Sequence, residues 1–492
     1  MAYLVRGEPG TARAEGAIAP DPSLPRVCVI GAGSSGIATI KALYEARIPF
    51  DCFEMGPVVG GMWVYRNPNG LSGCYSTLEM NTSGPRMAYS DFPMPSYFRD
   101  YPMHWQVREY FDRYVDHFGL RDTITFETRV EHVARRDDGV WEVRISGAGA
   151  AGGRNVREYD AVVVANGHHW DPRWPEPPFP GSFAGTEMHS HDFGEPSIFE
   201  GRRVLVVGVG NSGMDIACAA SYVADATFVS ARRGVHVIRK RLKGKPVDQK
   251  LMPAGLPWGI RQKGFELLRR RSGDATEYGM PEPDHKVGHA HPTLSDEFLD
   301  RLREGAVTMR PNIAELRGER VLFEDGGTEE VDLIVYATGY RVTFPFFDRE
   351  FISAPGNDLP LYRRTFHPEI GGVYFIALAQ PLGALMPVAE AQGKWVAEHL
   401  GGRYHLPSDG EVRADMAAER EAHAERFYRS ARHTMEIDFD RWLRALGKER
   451  RRGAKRARRR GNTLPIRPRA ARVGIGEQPL GDAAEGLDPV AL

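Results

Sequence analysis

Cysteine is scarce in this chain: Cys28, Cys52, Cys74 and Cys218 are the four in 492 residues. None of them makes a Cys-x-x-Cys pair, which excludes a dithiol redox centre and a zinc site of that spacing. Cys28 and Cys52 fall in apolar, strand-like runs and Cys218 on a helical pattern, so buried thiols are expected rather than disulfides. Long apolar runs are missing as well. No stretch approaches the roughly 18 consecutive apolar residues of a membrane span, and the first residues, Met1 to Gly10, lack the apolar centre of a secretory signal. A soluble, cytoplasmic protein is expected. Neither sign of charge is in excess, with 64 Lys and Arg against 65 Asp and Glu, so nothing draws the whole chain toward nucleic acid. Paired carboxylates and a Ser/His/Asp set are absent too. His285, His289 and His291 crowd together without the Cys or carboxylate ligands that would complete a site, so no metal is expected.

What is present is glycine in two matching loops. Arg26-Val-Cys-Val-Ile30 reads as a short buried strand, followed by Gly31-Ala32-Gly33-Ser34-Ser35-Gly36 and then a helical pattern from Ile37. Gly31 allows the tight turn, Gly33 lets the backbone approach a pyrophosphate, and Gly36 lets helix and strand pack closely. The helix N-terminus then offers unpaired N–H groups to phosphate. A lone GxGxxG is weak evidence, but a second strand, Phe50-Asp-Cys-Phe53, ends here at Glu54. That acid stands 23 residues after Gly31, near the roughly 20 expected for a carboxylate on a ribose hydroxyl. An adenine dinucleotide is expected here.

The pattern restarts downstream. Arg203–Val207 reads as a strand, Gly208-Val-Gly210-Asn-Ser212-Gly213 as the loop and Met214–Val223 as the helix. Where the first copy has Glu54, the second offers Arg232, 24 residues after Gly208. A guanidinium pairs with a 2′-phosphate that a carboxylate would repel, so NADPH is expected over NADH. Two apolar strands end alike, Val162–Gly167 and Val331–Gly339, and imply two crossings between lobes. Between the loops lies Phe183-Ala-Gly185-Thr-Glu-Met-His189-Ser-His-Asp-Phe193. By composition it is a loop with turn glycines; by position it joins the two nucleotide sites.

These residues, in this order, resemble the flavin-containing monooxygenases, single-component FAD and NADPH flavoprotein monooxygenases, over roughly residues 27–400. The resemblance is carried by both glycine loops, Glu54 with Gly60-Gly-Met62-Trp63, and Asn81-Thr82 followed by Tyr89-Ser-Asp-Phe-Pro93. It also includes Phe183-x-Gly185-xxx-His189-xxx-Phe193, Ala337-Thr-Gly-Tyr340, and Gln380–Pro387 with Glu390-x-Gln392. Baeyer–Villiger relatives carry Trp at the position of Phe193, which argues here for heteroatom oxidation; a ketone monooxygenase or a flavoprotein NADPH oxidase or reductase is the alternative.

The resemblance implies an α/β fold of two Rossmann-like dinucleotide-binding domains, the NADP domain inserted into the FAD domain. The expected spans are FAD-binding parts at 26–170 and 331–447 and an NADP-binding domain at 171–330, with a disordered leader over 1–25, rich in Pro, Gly and Ala, and a basic disordered tail at 448–492, both read from composition. That tail, with Arg450–Arg460 at its head, is either a solvated segment or a contact for an anionic partner. Gly31, Ala32, Gly33, Ser34, Ser35, Gly36 and Glu54 would hold the adenine half of FAD, with Met62, Trp63, Asn81 and Thr82 toward the flavin. Gly208, Gly210, Ser212, Gly213, Asp215 and Arg232 would hold NADPH. Asn81 is the single catalytic candidate. The implied reaction places one oxygen atom of O2 on a nucleophilic nitrogen or sulfur of a small-molecule substrate, through a flavin C4a-hydroperoxide. The oligomeric state is left open, a homodimer included.

Overall fold

The computed structural model describes residues 18–150, 155–250, 258–427 and 434–468. Two parallel five-stranded sheets are built to one plan. In the first, Val27–Ile30 is central, with Phe50–Phe53 and Ala161–Val164 in parallel register on its two sides. Ile124–Thr125 and Val373–Phe375 form the edges. In the second, Arg203–Val207 is central between Ala226–Ser230 and Leu333–Tyr336. Thr308–Arg310 and Thr186–His189 are its edges. The near-continuous apolar runs VCVI, AVVV, RVLVV and LIVY suit strands covered on both faces, as a parallel sheet requires. The helices Ser34–Glu45 and Asn211–Ala220 leave the two central strands through the glycine loops and cover one face of each sheet. On the other face Cys28 and Ile30 pack with Trp141 and Val143, and Leu205 and Val207 with Ile313 and Val321.

A hairpin around Asp137-Asp-Gly139 joins Thr128–Arg135 to Trp141–Gly147, with Val156–Tyr159 as third strand. The chain leaves the first sheet after Ala161–Val164, builds the second, and returns to the first at Val373–Phe375. The NADP-type lobe is thus inserted into the FAD-type lobe. The two crossing segments pair with each other, Tyr340 opposite Pro172 and Arg341 opposite Asp171.

Three boundaries differ from expectation. The span 331–447 is expected wholly in the first lobe, but Leu333–Tyr336 is hydrogen-bonded between Arg203–Val207 and Thr186–His189 in the second sheet. An apolar strand ending in glycine fits either sheet, and only the pairing assigns it. The described end of the leader, residues 18–25, is placed against the first lobe: the Ile18 N–H donates to Tyr44 Oη at 2.7 Å, and Leu24 packs on the core. Residues 1–17 lie outside the described residues.

The tail departs most. Phe439–Arg459 is a 21-residue helix, so the arginine run at 450–460 is largely helical and packed. Its buried stripe is Trp442, Leu446, Glu449, Gly453 and Ala457, at helical spacing. Three of those five are Glu, Gly and Ala, which is why no apolar period is visible. Glu449 and Gly453 accommodate Tyr404, whose hydroxyl donates to Glu449 at 2.9 Å; a Cβ on Gly453 would fall 2.0 Å from the Tyr404 ring. Arg450 pairs with Glu398 at 2.5 Å. Residues 469–492 lie outside the described residues.

Candidate active site

The two glycine loops open onto one cleft of about 1160 Å³ between the lobes. Each is shaped by the same pair of contacts. Gly31 has φ +98° and Gly208 φ +115°; an added Cβ would lie 2.7 Å from the Ala165 carbonyl oxygen in the first case and 2.6 Å from that of Ala337 in the second. The third glycines pack on the first: a Cβ on Gly36 would meet the Gly31 oxygen at 1.8 Å, and one on Gly213 the Gly208 oxygen at 2.1 Å. The strands that close these turns are the two apolar runs ending in glycine. Gly33 and Gly210 cap the following helices, and having no side chain they leave the first-turn N–H groups without a capping bond of their own. Those groups point at the space a pyrophosphate would take.

Around the first loop, Gly61 comes so close to Gly33 that a Cβ on it would be 3.2 Å from the Gly33 Cα. The short turn Gly61–Trp63 puts Met62 and Trp63 on the cleft wall with Ser34 and Ser35. Glu54 also lines the cleft and is 5 % exposed. It accepts the Ala32 N–H and the Gly56 N–H, each at 2.7 Å. Burial raises its carboxyl above the usual range, and the backbone donors oppose that rise. Ala32 and Gly36 shape the loop from behind and are not on the wall.

Asn81 and Thr82 line the cleft. The Thr82 hydroxyl donates to the Gly383 carbonyl at 3.4 Å, while the Asn81 Oδ1 is buried without a hydrogen-bond partner among the described residues. Leaving such an acceptor unmet costs about 1–3 kcal/mol, so this amide is poised for a donor from a bound group. On the second lobe, Gly208, Gly210, Ser212, Gly213 and Arg232 all line the cleft, and Arg232 is exposed at the end of its strand.

Asp215 does not fit its expected place. It is absent from the cleft wall, and its carboxylate accepts the Tyr75 hydroxyl at 2.7 Å. Burial raises its pKa. One helical turn past the loop, its side chain turns away from the nucleotide side and toward a residue of the other lobe.

The stretch 183–193 is not a plain loop. Gly181–Phe183 and Thr186–His189 are strands, and a Cβ on Gly185 between them would strike the Asp332 carbonyl at 2.5 Å. His189 is fully buried, accepts the His191 N–H through Nδ1 at 3.0 Å, and sits edge-on to Tyr340. Burial depresses its pKa to about 4, so it is neutral near pH 7. Phe193 is 1 % exposed and stacks on Phe199 at 5.2 Å in the second-lobe core. It does not reach the cleft, so its difference from Trp acts through packing rather than by touching substrate.

Several wall residues carried no sequence signal, among them Tyr75, Arg86, His168, Asp248 and Arg261. Tyr75 and His168 lie in connecting segments, Arg86 and Asp248 on single-turn helices, and Arg261 on the helix Trp258–Ser272; none of them belongs to a recognisable motif. His168 and the following His169 adjoin the strand-end motif Asn166-Gly167, the one hint available.

Two dinucleotide loops, each with its own parallel sheet and both facing one cleft, define a flavoprotein that takes a nicotinamide cofactor beside a flavin. The comparisons narrow the class. Residues 25–450 match the model of the FMO-like family, flavin-binding monooxygenase-like. Flavin-containing monooxygenase 5 of Rattus norvegicus is 35% identical over 433 residues, covering 84% of this chain and 80% of the relative. Dimethylaniline monooxygenase [N-oxide-forming] 2 of Macaca mulatta is 33% identical, with 86% and 82% covered. Among solved structures, S-allyl-L-cysteine S-oxygenase from Allium sativum superposes with a TM-score of 0.65 at 25% identity, over 89% of this chain and 93% of that one. Steroid monooxygenase bound to NADP shares the fold, with a TM-score of 0.66 at 18% identity over 88% and 98% of the two chains. The chain belongs to the flavin-binding monooxygenase-like family.

Proposed function

We propose that the protein is an FAD- and NADPH-dependent monooxygenase that places one oxygen atom of O2 on a nucleophilic nitrogen or sulfur of a small molecule. The observation that carries this reading is the unpartnered Asn81 Oδ1 on the wall of a cleft onto which both glycine loops open. The residues fit the cofactors: bare helix N-termini for two pyrophosphates, close glycine approaches for two backbones, and an acceptor awaiting a donor. When bound, the flavin and nicotinamide supply the electrons and the activation of O2.

The chain's own residues bind, orient and exclude water. Gly31, Gly33, Ser34 and Ser35 cradle the FAD pyrophosphate, Gly36 keeps their loop tight from behind, and Ala32 anchors Glu54 at the ribose. Met62, Trp63 and Thr82 wall the flavin end, with Asn81 accepting a hydrogen bond there. Gly208, Gly210, Ser212 and Gly213 cradle the NADPH pyrophosphate, and Arg232 pairs with the 2′-phosphate. Asp215 acts instead as a tie between lobes. His189, neutral and enclosed, holds the strand joining the sites. The cytoplasm is the proposed location, because all four cysteines are free and buried, the thiol usage of a reducing compartment. Among the described residues no helix is long and apolar enough to cross a membrane. The exposed cations of the C-terminal helix, Arg451, Arg452, Lys455, Arg458 and Arg459 among them, are the proposed contact for an anionic partner.

The test is turnover of purified, yellow protein with NADPH and either a sulfide or a ketone. Sulfoxide as product supports the reading; ester from the ketone assigns the Baeyer–Villiger alternative, and NADPH consumption yielding only peroxide assigns an oxidase. Asn81→Ala is expected to divert most reducing equivalents to peroxide. Unchanged coupling in that variant removes Asn81 from the chemistry.

A further inference from the structure

Arg86 sits on the short helix Gly84–Met87, a few residues beyond Asn81 and Thr82. It is 7 % exposed and lines the cleft. Its guanidinium lies over the Phe439 ring, 5.3 Å from the centroid, and among the described residues it makes no hydrogen bond or ion pair. A layer of contacts ties it to the Asn81 wall. A Cβ on Gly383 would come within 2.9 Å of the Phe439 side chain, and the Gly383 carbonyl accepts from the Thr82 hydroxyl.

The chain treats its other buried arginine on this wall differently. Arg261, also 7 % exposed, is held by Asp438 at 2.9 Å and faces Asp440 at 3.8 Å. The acid that faces Arg86 is Asp248, close enough for the guanidinium to act on its ionisation but outside ion-pair distance. Its Oδ2 is taken by the Ser83 N–H at 2.7 Å. A guanidinium on the cleft wall with no carboxylate of the described residues in ion-pair distance keeps its planar fork of N–H groups for a ligand, and a carboxylate matches that fork.

We propose that Arg86 is a substrate-recognition residue, and that the preferred substrates are sulfides or amines bearing a carboxylate, which the Arg86 guanidinium binds while the heteroatom faces the Asn81 wall. This rests on the monooxygenase reading and names the substrate class within it. Asp248 on the same wall disfavours a second negative charge, so monocarboxylates are preferred over dicarboxylates.

Two probes of one skeleton test it: methylthiopropanoate and its neutral amide, methylthiopropanamide, with the FAD-loaded full chain. Sulfoxide formation gives kcat/KM for each, and the acid-to-amide ratio is the readout, which a loss of folded enzyme does not move. Arg86→Met is expected to lower that ratio about tenfold to a hundredfold, the worth of a charge-assisted hydrogen-bonded pair. Arg86→Lys, which keeps the charge and loses the fork, is expected to fall between. Equal ratios in wild type and Arg86→Met overturn the assignment of Arg86 while leaving the monooxygenase intact. Absence of sulfoxide from both probes, with NADPH still consumed, overturns the underlying reading as well.

Discussion

The Tyr75 hydroxyl donates to the Asp215 carboxylate across 2.7 Å, tying a connecting segment of the first lobe to the helix that follows the second glycine loop. Tyr75 is 3 % exposed and packs in the second-lobe core beside Phe193, ring centroids 5.4 Å apart. One lobe therefore plants an aromatic residue in the core of the other, directly behind the proposed NADPH loop. Tyr75→Phe leaves the buried carboxylate without its donor and is expected to cost about 1–3 kcal/mol of stability. It is also expected to raise KM for NADPH more than it lowers flavin content. A thermal melt and a steady-state titration measure the two; a KM for NADPH that does not move removes the tie from cofactor binding.

The third glycines separate the cofactors. A methyl at Gly36 or Gly213 runs into backbone, the Gly31 and Gly208 carbonyl oxygens, which no rotamer relieves. Gly36→Ala is expected to purify with little flavin. Gly213→Ala is expected to stay yellow and to show at least a tenfold rise in KM for NADPH, about 1.4 kcal/mol or more. Arg232→Ala is expected to raise KM for NADPH about tenfold to a hundredfold while sparing NADH. Equal losses for both nicotinamides place the 2′-phosphate elsewhere.

Acid stability is set in part by buried histidines. His189 and His399 are both held neutral by burial, with pKa values lowered from 6.5 to about 4. A depressed folded-state pKa contributes stability above the unfolded value, and that contribution is lost as pH falls from 6.5 toward 4. For each histidine it amounts to up to about 3 kcal/mol. The melting temperature of His399→Gln is expected to decline less steeply between pH 6.5 and 4 than that of wild type. Parallel slopes would assign the acid transition to other groups.

Gly453 decides whether the basic C-terminal helix can dock. Gly453→Val forces a side chain into the Tyr404 ring and is expected to destabilise by about 1–3 kcal/mol. Arg451→Ala and Arg452→Ala, on the exposed face, are expected to stay within about 0.5 kcal/mol of wild type. Chemical denaturation of the three variants checks the contrast.

The sequence alone was enough for both strand–glycine–helix units, their order and the insertion of one lobe in the other. Those features are written in local rules: glycine where φ is positive at 31 and 208, apolar runs where strands are buried on both faces, and an acid or an arginine at a fixed distance from the loop. Glu54 and Arg232 were legible for that reason, and both line the cleft.

The rest depends on partners distant in sequence. The resemblance puts Asp215 at the nucleotide, yet it faces Tyr75, 140 residues away. Leu333–Tyr336 reads the same in either sheet until its hydrogen bonds are made. The helix at 439–459 buries a stripe in which Glu449 and Gly453 meet Tyr404, a residue distant in sequence. Arg86 is one arginine among many until the fold places it over Phe439 on the cleft wall. Local spacing determines backbone geometry, which each residue settles with its near neighbours. The direction a side chain faces, and whether its charge meets a partner, is settled only when the lobes pack.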